Sequence, residues 1–198
     1  MARRNLKESA AENPPTRLIV GMSGASGAIL GIRMLQALRP LPVEVHLVIS
    51  RAAELTIAYE TDMKVPEVRA LADATHGIQE MAAPISSGSF PTLGMVIAPC
   101  SIKTMSEIAT GVTSSLLSRA ADVTLKERRR LVLMLRETPL HTGHLRNLTA
   151  LSEMGAIIAP PVPAFYNKPE SLDDIIDHAV GRVLDLFDLD TGKVKRWS

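Results

Sequence analysis

The sequence has a single cysteine, Cys100, so it cannot form an intrachain disulfide. That fits a reducing compartment, and a cytoplasmic protein is expected. Aromatic residues are scarce, at 3% of the chain, which leaves Val, Ile, Leu, Met and Ala to build the core. Such a core suits a parallel sheet packed between helices. The same scarcity removes the aromatic-plus-basic stripe that grips single-stranded nucleic acid. Neither sign of charge dominates: 22 Lys and Arg oppose 21 Asp and Glu. No general attraction to nucleic acid or anionic membranes follows from that balance. No apolar run approaches the roughly 18 residues of a membrane span. Residues 1–15 are polar, include Pro14 and Pro15, and lack the apolar stretch of a signal peptide. They are expected to form a disordered extension.

What remains is 198 residues of ordinary globular composition, enough for one domain with a substantial sheet. Apolar runs at 17–22, 43–49, 95–98, 131–135 and 156–159 read as buried strands, the third stopped by Pro99. Between them lie helical patterns at 28–38, about 50–61, 114–127 and 171–187. In the first, Ile29, Ile32, Leu35 and Leu38 share a face; in the last, Ile175, Ile176, Ala179, Val183 and Leu186 do. Strands alternating with long helices predict a single doubly wound parallel sheet, Rossmann-like or flavodoxin-like, over residues 16–190. Residues 191–198 form a tail. Residues 62–81 fit no element, and 84–93 (PISSGSFPTL) read as a loop, mobile over a site.

The turn after the first strand is Gly21-Met22-Ser23-Gly24-Ala25-Ser26-Gly27. Glycines permit a sharp turn and close approach to a ligand, and the helix that follows can hold an anion at its N-terminus. The spacing G-x-x-G-x-x-G is neither the dinucleotide fingerprint nor a P-loop. Ser50 stands where an NAD site would place an acid, and a hydroxyl suits a ribityl chain or phosphate better. A tight turn with no ligand is the plain alternative. A second strand-to-helix turn, Pro99-Cys100-Ser101-Ile102-Lys103-Thr104, lies at the same sheet edge. Helix capping alone would also explain Ser101, and Cys100 reads as a buried apolar residue rather than a nucleophile. The run Lys126-Glu127-Arg128-Arg129-Arg130 is consistent with a solvated helix end. Arg136 and Glu137 stand apart from it, just past a buried strand at the ligand edge. His141 and His144 lack partners at metal-site spacing, so no metal is expected.

Together these segments resemble the UbiX-type flavin prenyltransferases, formerly labelled phenylacrylic acid decarboxylases. The residues that carry the resemblance are GMSGASGA at 21–28, HLVISRAAE at 46–54 with Glu60 and Thr61, and SSGS at 86–89. Further on come APCSIKTMSEIATG at 98–111, SRAADVTLKERR at 118–129, RETPL at 136–140, PAFYNKPES at 163–171, and Arg182. The resemblance implies a homododecamer that joins a dimethylallyl group from dimethylallyl monophosphate to reduced FMN without a metal. The prenylated FMN would serve a UbiD-type decarboxylase. Gly24, Ala25, Ser26, Ser50, Ser101, Ile102, Thr104, Arg119 and Arg136 would contact FMN. Lys126, Arg136, Tyr166 and Arg182 would hold the donor phosphate, and Ser26, Glu60, Lys126 and Glu137 would manage charge and protons.

Two positions depart from the family's usual pattern. Leu135 stands where Pro often precedes the Arg-Glu pair, and Arg146 stands in place of an acid. Two rivals are disfavoured by the residues. An FMN-dependent cysteine decarboxylase needs a catalytic His and a Pro-x-Met-Asn loop, and the sequence has neither. A protein that merely stores FMN would not need a second set of anion-binding residues.

Overall fold

The structure, a computed structural model, describes residues 16–192 and 194. The expected extension at 1–15 and most of the tail at 191–198 lie outside the described residues. The element order is β1 (Arg17–Met22), α1 (Ala28–Leu38), β2 (Glu44–Ile49), α2 (Arg51–Glu60), α3 (Val65–Arg69), β3 (Ala74–His76), β4 (Gly94–Cys100), α4 (Ile102–Ala109), α5 (Leu116–Lys126), β5 (Arg130–Leu135), α6 (Thr142–Glu153), β6 (Ala156–Ile158) and α7 (Leu172–Asp185). All six strands pair in parallel, in the order β3-β2-β1-β4-β5-β6. This is the doubly wound α/β fold that the strand–helix alternation predicts, with Rossmann strand order.

Both faces of the sheet are covered, which is why the strands read as continuous apolar runs rather than alternating ones. Leu18, Val20 and Met22 pack with α1, α2, α3 and α7 on one side. Ile19, Val48 and Ile97 pack with α4, α5 and α6 on the other. The winding reverses between β1 and β4. A crevice therefore opens beyond the carboxyl ends of these neighbours, where no crossover helix covers it. Among the described residues, no helix is long and apolar enough to cross a membrane.

Several elements differ from the sequence expectation. Residues 62–81 contain α3 and β3; α3 is held by Glu67 accepting from the Lys64 N–H at 2.6 Å, and β3 is a three-residue edge strand, too short for a periodic signal. Helix α6 went unread because only Leu151 is buried along it. Its cap is also unusual: His141 Nδ1 accepts from the N–H groups of Gly143 (3.0 Å) and His144 (3.4 Å). The His141–His144 pair thus has a structural purpose. Pro99 does not end its strand. β4 continues to Cys100, with its pairing to β5 shifted between Ile97 and Cys100. In α7 the inward face is turned from the expected one, burying Ile176, Val180, Val183 and Leu184, together with His178.

Candidate active site

The crevice at the β1–β4 reversal is a cleft of about 580 Å³, within the range of ordinary small-molecule sites. Gly24, Ser50, Ser101, Ile102, Thr104 and Glu137 line it, six of the residues expected to form the site. The two turns that form its floor are joined by Ser23, a residue to which the sequence reading gave no role. Ser23 is 1% exposed; its hydroxyl donates to the Pro99 carbonyl at 3.0 Å and accepts from the Ser101 N–H at 2.7 Å. Losing that hydroxyl would leave the Ser101 N–H without its acceptor, while the Pro99 carbonyl would keep the Ser23 backbone N–H at 3.1 Å. Gly24 is required for a different reason. A Cβ there would lie 2.2 Å from the Ala52 Cβ, so the β1 turn can nest against the start of α2 only as glycine. Ser50 and Ser101 are also caps, accepting from Ala53 N–H at 3.1 Å and Thr104 N–H at 3.3 Å. Capping and cleft-lining are compatible, since the second lone pair of each hydroxyl is not used by the cap.

The N-terminus of α1 is already occupied. Glu60, from the end of α2, accepts from the Gly27 N–H at 2.8 Å and the Ala28 N–H at 3.0 Å. A ligand anion expected at this helix start would find a protein carboxylate there instead. Burial pushes the Glu60 carboxyl up, but the Ala28 and Gly27 N–H groups, the Ser26 hydroxyl and nearby Arg136 outweigh it and hold it below the usual carboxylate range. Glu60, Ser26 and Arg136 thereby form a charged cluster beside the cleft. Gly27 has φ of 100°, the left-handed conformation that lets the chain present these donors. Cys100 is fully buried, and burial pushes its thiol up to about 12, which removes it as a nucleophile.

Lys103, from the second turn, also lines the cleft, and sequence reasoning missed the rest of its wall: Arg51, Gln79, Glu107 and Ser114. Glu107 accepts from Lys103 Nζ and from the Ser114 hydroxyl at 2.9 and 2.8 Å. The i,i+4 spacing of Lys103 and Glu107 could have flagged this pair, but such pairs usually mark a solvated face.

Four expected site residues lie elsewhere in the chain. α5 starts at the cleft, where Leu117 lines it and Leu116 N–H donates to the Ile78 carbonyl, and runs back to the opposite edge of the sheet. Lys126, its last residue, therefore sits before β5 while Arg136 follows it, at opposite ends of a strand about 17 Å long. Lys126 is paired with Glu127. Arg119, one turn into α5, donates to the Ser86 carbonyl at 3.3 Å and Asp122 Oδ2 at 2.8 Å rather than entering the cleft. The loop 84–93, expected to be mobile over the site, instead returns along α5 to the start of β4. Arg129 pins it there through the Gly88 and Phe90 carbonyls, both at 2.7 Å. Tyr166 and Arg182 line a second cavity of about 480 Å³ between the loop after β6 and α7. The two cavities share no residue. Among the described residues, no group of three or more His, Cys, Asp or Glu could hold a metal ion.

The Flavoprotein family pattern matches residues 6–184. A flavin prenyltransferase UbiX of Thauera aromatica is 58% identical over 182 residues, covering 92% of this chain and 94% of the relative. That of Escherichia coli (strain K12) is 63% identical over 172 residues, covering 86% of this chain and 91% of the relative. The chain belongs to the UbiX-type flavin prenyltransferases. Solved structures agree. AnUbiX (PadA1), in complex with FMN and dimethylallyl pyrophosphate, superposes with a TM-score of 0.91 at 59% identity, covering 92% of this chain and 97% of that one. A dodecameric FMN-dependent UbiX-like decarboxylase from Escherichia coli O157:H7 has the same TM-score at 54% identity, covering 92% of this chain and all of the other. The cypemycin decarboxylase CypD, at 19% identity and a TM-score of 0.62, shares the fold alone. The two departures from the usual UbiX pattern spare the cleft: Leu135 is buried at the end of β5, and Arg146 is exposed on α6.

Proposed function

We propose that the protein joins a dimethylallyl group from dimethylallyl monophosphate to N5 and C6 of reduced FMN, without a metal. The prenylated FMN then serves a UbiD-type decarboxylase in the cytoplasm. One observation carries the reading: Glu137 lines the cleft at the β1–β4 reversal, and its neighbour Arg136 acts on the Glu60 carboxylate, charged groups that flavin storage alone would not call for. The site also fits a flavin. The cleft is large enough, Gly24 leaves open the space that a side chain would fill, and the hydroxyls of Ser50, Ser101 and Thr104 suit a ribityl chain and phosphate. Gly24, Ala25, Ser26, Ser50, Ser101, Ile102, Thr104, Arg119 and Arg136 are the proposed FMN contacts.

When bound, reduced FMN would supply the electron pair for the allylic carbon, whose C–O bond breaks with phosphate taking the bonding pair. The chain's residues make that departure possible. Lys126, Arg136, Tyr166 and Arg182 donate to the leaving dianion, a role that fixed cations can take in place of Mg²⁺. Glu60, kept ionised by the α1 N-terminus, Ser26 and Arg136, balances positive charge that develops beside the flavin. Glu137, which lines the cleft, takes a proton in this reading. The allylic fragment must also be kept from water, which an open cleft in one chain cannot do.

These residues can act together only if a neighbouring subunit contributes some of them, because Lys126 and Arg136 of one chain flank the two ends of β5. A closed symmetric assembly meets that need, and we propose a homododecamer, the state described for the Escherichia coli O157:H7 relative. The test is to incubate the protein with reduced FMN and dimethylallyl monophosphate in EDTA and weigh the flavin by mass spectrometry. Addition of a dimethylallyl group is expected. Unmodified FMN, or a strict Mg²⁺ requirement, would contradict the reading, and a parallel arm with the diphosphate tests the choice of donor.

A further inference from the structure

Tyr166 sits on an irregular loop and is 48% exposed, so its own backbone gives its phenol little orientation. His178 supplies it. This residue is 7% exposed in the middle of α7, and its Nε2 lies 3.2 Å from the Tyr166 hydroxyl. The two rings meet edge-to-face, with centroids 5.6 Å apart and an interplanar angle of 80°. His178 and Arg182 are one helical turn apart, and both line the same cavity as Tyr166.

An imidazole is an odd choice for this position if packing is its only purpose. Its Nδ1 is buried with no hydrogen-bond partner among the described residues, which is unfavourable for a buried polar atom. A Leu or Phe would avoid that cost, so the reason for His must lie at Nε2. Burial, with the Arg182 charge beside it, holds the imidazole below its ordinary range and therefore neutral. A neutral ring carries its hydrogen on one nitrogen only. Placing it on Nε2 leaves a mere lone pair unmet at Nδ1, whereas the other tautomer would bury an unpaired N–H. With Nε2–H donating to the Tyr166 oxygen, the phenol's own hydrogen is directed away from His178.

We propose that His178 is a positioning residue that turns the Tyr166 hydroxyl so that it donates to the phosphate of the allylic donor. The inference rests on the proposed role of Tyr166 at that phosphate. Its test compares steady-state kinetics of His178→Phe, His178→Gln, Tyr166→Phe and the double variant His178→Phe/Tyr166→Phe, with FMN titration and thermal melting on each. His178→Phe should raise KM for dimethylallyl monophosphate roughly tenfold, the ordinary worth of one hydrogen bond to a charged group, with FMN affinity unchanged. His178→Gln, whose amide N–H reaches a similar point, should restore KM to within about twofold. Adding His178→Phe to Tyr166→Phe should change KM no further. If Tyr166→Phe raises KM while His178→Phe does not, the positioning role is overturned and the donor-site reading stands. The positioning role also fails if His178→Phe still raises KM in the Tyr166→Phe background. An unchanged KM in Tyr166→Phe would instead remove the donor-site reading of Tyr166, and this inference with it. Should His178→Phe not fold, a His178→Gln enzyme with a tenfold higher KM would count against the proposal.

Discussion

Gly24, Ser50, Ser101, Thr104 and Glu137 meet in one cleft of a single chain, whereas Lys126, Tyr166 and Arg182 never reach it. The first group sits on turns that follow parallel strands, so the fold itself delivers them to one edge. The second group comes from the far end of α5, from a loop and from α7; the chain's own fold gathers Tyr166 and Arg182 in a second cavity but brings Lys126 to neither cavity. On the proposed reading, the flavin site apart from Arg119 can be built in one chain, while the donor site needs an assembly. That difference divides the effects expected of substitutions.

The largest effects belong to the residues proposed to hold the donor phosphate. Lys126→Ala and Arg136→Ala should each lower prenyl transfer by at least about 100-fold, as removal of a fixed charge from a transition state does, while FMN still binds. Flavin fluorescence titration beside mass analysis of the product separates the two activities. Loss of FMN with Lys126→Ala would mean that the cleft and the far end of α5 are not distinct sites.

Smaller effects should appear in the cleft, and there on FMN itself. Gly24→Ala places a Cβ 2.2 Å from that of Ala52, so the turn or α2 must move. Such overpacking costs about 1–3 kcal/mol, and both thermal stability and FMN retention should fall. Ser23→Ala leaves the Ser101 N–H without its acceptor and the two turns joined only by the Ser23 N–H to the Pro99 carbonyl. FMN affinity should drop about tenfold with the fold intact, measurable by calorimetry. An unchanged affinity would show that the two turns keep their spacing without Ser23.

The smallest effect concerns pH. Glu60 has its carboxyl held below the ordinary value of 4.5, so its ionised form stabilises the folded chain above that pH. The contribution is lost as pH falls from 4.5 through the folded value. Glu60→Gln should flatten this part of the acid limb in chemical denaturation, and an identical limb in both proteins would contradict it.

How much of this could be read in the sequence follows the same division. Strand-ending runs and glycine spacing mark β1 and β4 and the turns after them, because local chemistry dictates a turn and its cap. The cleft was legible for that reason. Glu60 was legible only as part of a resemblance: nothing local says that the end of α2 will fold back onto the α1 N-terminus. The cover expected of residues 84–93 was misplaced because Ser- and Gly-rich composition says that a segment is irregular, not which edge of the sheet it follows. Arg129, which pins that segment, looked like an ordinary cation of a solvated helix end, and Arg119, which also holds it, was expected only as an FMN contact. α6 was missed because it buries one residue and is capped by histidine. On the proposed reading Lys126 meets a neighbouring subunit, and no pattern within α5 encodes that.

The most direct test of that quaternary claim mixes two inactive proteins. Lys126→Ala and Arg136→Ala, co-expressed with different tags and purified as mixed oligomers, place their defects in different chains. If each site takes Lys126 from one subunit and Arg136 from another, random mixing rebuilds about a quarter of the sites, and prenyl transfer should return to about that fraction of the wild-type rate. Mixed oligomers as inactive as either parent would contradict the account, since both residues would then have to act from the same chain.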